Sequence, residues 1–176
     1  TAKSWYQGKT PDRAFNGTIT NASDCWSSGT PSNYNGTLGF PQWISFEFPY
    51  DVIITKYRIW GRSSSPQNPT KWTLLGGTND IILDTRINYV WPSTNANSVQ
   101  NQTDFLEFNV HNTTRPYNIF KLNVEEVGFI SQVSIGEIAF YGYKMPNGVL
   151  TTDNAVMNQL ATSYITTPYS YDPVTT

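Results

Sequence analysis

Four groups of residues in this sequence are of the types from which reactive sites are made: the single Cys25, the single His111, the adjacent Glu125 and Glu126, and the glycine pair Gly76-Gly77. Nucleophilic catalysis of the Ser–His or Cys–His kind needs a base within reach of the nucleophile and a third group that orients the base. His111 stands alone in a polar stretch between two extended segments and reads as an exposed histidine. Glycoside hydrolysis needs two carboxyl groups facing each other at roughly 5–10 Å. Glu125 and Glu126 are neighbours on a strand end, where alternation sends them to opposite faces. One Cys and one His cannot supply the three or four soft ligands of a zinc site. Gly76-Gly77 lies in a hairpin-like turn with no helix behind it, so a phosphate cradle is not expected. None of these groups favours catalysis.

The elements that would position such a site are extended. Only 14% of the 176 residues are charged, whereas 15% are Phe, Trp or Tyr and 54 are Asn, Thr or Ser. Each aromatic side chain can bury about 150–250 Å², so a core is attainable from few residues. Surface helices normally carry Glu and Lys, and their scarcity suits strands and polar loops. The 11 Lys and Arg are scattered against 13 Asp and Glu, giving a net charge of −2, with no basic stripe for a nucleic acid backbone and no polybasic membrane anchor. No apolar run reaches the 18 residues of a transmembrane candidate, and Thr1-Ala2-Lys3-Ser4-Trp5 lacks the pattern of a signal peptide. The expectation is a soluble chain, or a trimmed fragment of one, with no internal disulfide to rely on.

Period-two alternation recurs in short blocks separated by turn residues. Ile44, Phe46 and Phe48 share one face of a strand and Ser45 and Glu47 the other; Val52 to Trp60 resumes after a Pro49-Tyr50-Asp51 turn. Lys71 to Leu75, Ile81 to Leu83, Phe105 to Val110, Tyr117 to Val124 and Val133 to Tyr143 continue the series. Short strands without a long helical pattern predict an all-β antiparallel sandwich, with Phe120, Leu122 and Val124 in its core. The stretch 88–103 reads as a long exposed loop. Residues 1–145 form the expected domain, and 146–176 a Thr-, Tyr- and Pro-rich tail or connector with at most one short helix from Asp153 to about Ala161.

Five fragments in order resemble the discoidin family, also called coagulation factor 5/8 C-type domains, and its bacterial relatives among galactose-binding-like carbohydrate-binding modules. They are Arg13-Ala14-Phe15-Asn16-Gly17, Cys25-Trp26-Ser27-Ser28, the paired strands Gln42 to Phe48 and Ile53 to Ile59, Pro69 to Asp80 around Trp72, and Ser134-Ile135-Gly136-Glu137-Ile138-Ala139-Phe140-Tyr141-Gly142. The resemblance runs from about Arg13 to Tyr143 and implies a jelly-roll β-sandwich with a shallow ligand site in the loops at one end. Trp26, Trp43 and Trp72 fall in framework motifs and are expected in the core.

The same resemblance places ligand-binding residues. Arg62, at the end of Ile59-Trp60-Gly61-Arg62, matches the position from which sugar-binding relatives contact hydroxyls, and its five N–H donors suit that task. Asn68 follows in the same loop, and Phe129 occupies the loop before the closing strand. Trp91 is a further exposed aromatic candidate. A structural calcium is implied near Asn16, Thr18, Asp24 and Glu137, although Asn16 stands where the family has Asp and Asp24 where it has Thr. A hard cation takes 6–8 oxygens, among which carbonyl and amide oxygens count. The expected function is a non-catalytic carbohydrate-binding or adhesion module recognising cell-surface glycans. Its setting would be extracellular or at a virion or cell surface, within a viral or phage fibre, a bacterial surface protein or another larger assembly. The alternatives are a membrane-lipid or protein-binding discoidin domain, which would need a cationic rim around apolar loops, and a purely structural assembly domain.

Overall fold

The computed structural model describes residues 1–18, 24–62, 67–91, 105–128 and 132–145, together with the backbone of 164–165. Among the described residues ten strands form: β1 (Ser4–Trp5), β2 (Trp26–Ser27), β3 (Asn35–Gly36), β4 (Gln42–Gly61), β5 (Pro69–Gly76), β6 (Ile81–Arg86), β7 (Leu106–Asn109), β8 (Tyr117–Val127), β9 (Ser134–Lys144) and β10 (Tyr164–Ile165). The one helical element among the described residues is a short 3-10 turn, Pro11–Ala14.

Strand β4 organises the others. The Pro49-Tyr50-Asp51 segment, expected as a turn, is a bend inside one 20-residue strand. Pairing with β8 holds from Gln42 to Glu47 and shifts register before Val52. From Val52 to Gly61 the same strand pairs with β9, while Lys56–Ile59 also pair with β7. Pro49 carries no N–H, and it sits where the ladder is interrupted, the place at which a strand tolerates proline. One layer is therefore the front of β4 with β8, β5 and β6. The other is the back of β4 with β7 on one side and β9 on the other, and β2 and β10 pair with the far edge of β9. All these neighbours are antiparallel. A strand that changes layers in this way closes the corner of a sandwich.

The core lies between the layers. Ile44 and Phe48 from the front of β4, Tyr57 and Ile59 from its back, Phe120, Leu122 and Val124 of β8, and Ile138 and Phe140 of β9 are all buried. Phe48 meets Phe120 and Phe140 edge-on at centroid distances of 5.9 and 6.4 Å. Phe46 is half-buried against this cluster. Trp26 and Trp72 are fully buried as expected, but Trp43 is not. Alternation puts Trp43 on the same face as Ser45 and Glu47, where Lys121 Nζ lies 5.7 Å from its ring centroid; its place in a framework motif misled the core assignment.

A buried polar chain ties the two layers. Trp72 Nε1 donates to Tyr57 Oη at 2.9 Å, and Tyr57 Oη donates to Asp84 Oδ2 at 2.7 Å. Arg86 Nε also donates to Asp84 Oδ2, at 2.8 Å. Burial, followed by the bond to Asp84, drives the Tyr57 phenol well above its ordinary range. His111, exposed as expected, rests its Nδ1 3.0 Å from Asp84 Oδ1. It is a partner of a buried carboxylate, not of a nucleophile.

Of the expected loop 88–103, residues 88–91 are described and run back along β5: Tyr89 N–H donates to the Thr70 carbonyl at 2.8 Å. The remainder lies outside the described residues, as do the expected helix 153–161 and all of the tail except β10, which pairs with Tyr143 and Gly142 of β9.

Replacing Tyr57 by Phe leaves the buried Trp72 N–H without its acceptor and removes one donor from Asp84. The expected loss is about 1–3 kcal/mol of unfolding free energy, read from denaturant midpoints at unchanged slope. A variant as stable as the natural chain would show that the buried chain does not tie the layers.

Candidate ligand-binding end

At one end of the sandwich β4 stops at Gly61, β5 starts at Pro69, β8 stops at Val127 and β9 starts at Ser134. Pro69 pairs with Val127 and Gly61 with Ile135, so the segments leaving these strands emerge side by side. Arg62 and Asn68 are brought together there. The Arg62 backbone N–H donates to Asn68 Oδ1 at 3.0 Å. Asn68 lies over Gly61: a Cβ at that glycine would stand 2.7 Å from Asn68 Nδ2. Only a residue without a side chain lets the amide pack onto the strand end.

The guanidinium is held by a residue that the sequence did not single out. Arg62 Nη1 donates to Gln67 Oε1 at 2.8 Å, and Ser134 Oγ donates to the same oxygen at 2.6 Å. Gln67 Nε2 donates to Gln132 Oε1 at 2.8 Å, and Gln132 Nε2 to the Ser28 carbonyl at 2.7 Å. Ser27 Oγ and Ser134 Oγ share a further bond of 2.6 Å. The loop after β4, the loop before β9 and strand β2 are thereby joined by neutral amides and hydroxyls. The Gln67-Asn68-Pro69 run before a strand was visible in the sequence. Its partner, 65 residues away, was not.

Trp91 reaches the same end. Its Nε1 donates to the Pro69 carbonyl at 2.6 Å and its ring meets Tyr89 at 6.2 Å, so the indole is half-buried against the core with its N–H engaged. Phe129 lies outside the described residues. The Lys9 backbone runs beside β2, its carbonyl accepting from Ser27 N–H at 3.3 Å.

The expected cation residues form a second cluster, joining the start of the domain to β9. Asn16 Oδ1 accepts from the Thr18 N–H at 2.9 Å and from Thr18 Oγ1 at 2.8 Å. Thr18 Oγ1 also lies 2.8 Å from Asp24 Oδ2, and Asn16 Nδ2 donates to Asp24 Oδ1 at 3.1 Å. Arg13 Nη1 pairs with Asp24 Oδ1 at 3.6 Å. Glu137 is buried, and its Oε2 has no hydrogen-bond partner. Burial is the main cause that pushes its carboxyl up to about 8; the backbone N–H groups of Gly17 and Asn16 oppose the shift, and the Asp24 charge adds to it. A buried orphan carboxylate oxygen beside a second carboxylate is the arrangement a hard cation would satisfy, and the donor set is all oxygen. Among the described residues no three His, Cys, Asp or Glu cluster, so a cation here would draw on amide, hydroxyl and backbone oxygens as well.

No family model matches the sequence, and no curated protein does. The fold does have solved counterparts. The family 32 carbohydrate-binding module of NanJ from Clostridium perfringens, solved with galactose, superposes with a TM-score of 0.56 at 17% identity, over 80% of this chain and 90% of that one. A family 32 module from a family 31 glycoside hydrolase of the same organism gives 0.60 at 13% identity, over 81% and 88%. The family 32 module of AlyQ, solved with 4,5-unsaturated mannuronic acid, gives 0.53 at 13%, over 80% and 92%. The chain thus has the galactose-binding-like, discoidin-type jelly-roll sandwich that its motifs implied.

Without a divalent cation, Glu137 makes stability pH-dependent. Its carboxyl titrates higher in the folded chain, about 8, than its ordinary 4.5, so between these values the folded state binds more protons and stability falls as pH rises. In excess chelator the unfolding midpoint should decline across that window, and Glu137→Gln should flatten the decline. A slope the same in both proteins would mean that Glu137 is not the group responsible.

Proposed function

We propose that this chain is a non-catalytic carbohydrate-binding module that takes cell-surface glycans at the end of the sandwich built on Arg62 and Asn68, and that it works outside the cell or on a virion or cell surface. The observation that carries this reading is the preorganised Arg62–Gln67–Asn68 group. Its donors are fixed before any ligand arrives, so little side-chain freedom is lost on binding. The fold likeness supports it, since the same sandwich has been solved with a neutral sugar, galactose, and with an acidic one, an unsaturated mannuronic acid. The residues that suggested catalysis have other engagements: His111 faces the buried Asp84, and Cys25 is buried with Sγ 3.5 Å from Ser27 Oγ. Among the described residues no helix is long and apolar enough to cross a membrane.

In this reading Arg62 and Asn68 fix the orientation of sugar hydroxyls while Phe129 covers the C–H face, and Trp91 serves as a buttress under Pro69. Arg62→Ala should cost about 1.5–3 kcal/mol in binding of a glycan selected from an array, the range for hydrogen bonds to a charged group, with the melting temperature kept. Capture of that glycan at full strength by the variant would place the site elsewhere.

Calcium belongs to the same proposal as a structural ion held by Asn16, Thr18, Asp24 and Glu137. A cation bound only by the folded chain raises stability by mass action. Millimolar calcium should lift the melting temperature of chelator-treated protein, and Asp24→Ala should abolish the rise. Identical melting with and without calcium, in protein shown metal-free by elemental analysis, would remove the ion from the account.

A further inference from the structure

The way the Arg62 charge is held bears on which sugars fit. The group fixing the Arg62 guanidinium is the Gln67 carboxamide, a neutral acceptor, at 2.8 Å. No described carboxylate forms an ion pair with Arg62. The carboxylates at the nearby end of β8, Glu125 and Glu126, are engaged by Lys71 at 2.8 and 3.8 Å. A structural arginine in a half-buried position is ordinarily matched by a carboxylate. Arg62 has instead been given direction without neutralisation.

We infer that the ligand is an acidic glycan, whose sugar carboxylate lies against Arg62. A guanidinium offers parallel N–H donors in one plane, and a carboxylate is the planar, two-oxygen group that matches them. The inference rests on the carbohydrate-binding reading above and narrows it from glycans in general to uronic acids or sialic acids, which share this carboxylate. A lipid headgroup is the less suitable occupant, because lipid-binding cations work from a mobile rim, whereas Arg62 is half-buried and tied down by Gln67.

The test is an array of uronides and sialosides, each printed beside its carboxyl-reduced counterpart, with anionic phosphatidylserine vesicles as a separate arm. In at least one sugar class the acidic form should bind about tenfold tighter than its reduced partner, the scale of one charge-assisted contact. The ratio should shrink as salt rises from about 0.05 to 0.5 M and screening shortens the reach of the charges. Which class shows the ratio identifies the source of the carboxylate. Arg62→Gln should pull it toward one. If a variant fails to fold, the matched pairs and their salt dependence in the natural chain decide alone. Equal binding of acidic and reduced forms overturns the inference while leaving the glycan reading intact. Binding of no glycan overturns both, and binding of vesicles in place of glycans transfers the charge to lipid and overturns the inference as well.

Discussion

The architecture depends on one strand being shared by both layers. Because β4 pairs with β8 before its bend and with β9 after it, the two layers cannot slide without breaking one of these ladders. A register slip would also turn the apolar face of a strand to solvent. The buried chain from Trp72 through Tyr57 to Asp84 reinforces the same junction from within, where unpaired polar groups would be costly. The place where β4 ends is therefore fixed, and with it the point from which Arg62 departs.

From that fixed point the proposed binding end is assembled out of neutral polar groups. Gln67 is its centre: one oxygen receives Arg62 and Ser134, and its amide nitrogen donates to Gln132. Amides and hydroxyls can hold a loop rigid without consuming charge, which an ion pair cannot. This separates the two clusters near the start of the domain. At Asp24 and Glu137 carboxylates gather, whereas at Arg62 a cation is held by a neutral amide. The two clusters thus differ in charge, and under the proposed function each suits a different partner, an ion that would support the fold and a sugar that would be recognised.

The sequence carried the strands because half-buried antiparallel strands write their burial directly into alternation, as in Ile44 and Phe48 or Phe120, Leu122 and Val124. It carried the convergence of Arg62 and Asn68 because both lie in one loop between two legible strands. It did not carry Gln67 with Gln132, since such a pairing is set by topology and leaves no periodic trace. The segment at Pro49 reads as a turn in the sequence for a related reason: a proline ends a ladder in either case, and only the partners on each side show that the strand continues. The motif places Trp43 in the core whereas its alternation with Ile44 points it outward, and the structure follows the alternation.

Mapping by nuclear magnetic resonance, with backbone amide signals followed as galacturonate is added, tests the central claim most directly. The account predicts that the largest changes fall on Arg62, Asn68 and Ser134, with the amides of the opposite sheet edge, such as Ile82, unmoved. Changes centred on β6, or an Arg62 end that stays unchanged while the sugar binds elsewhere, would contradict it.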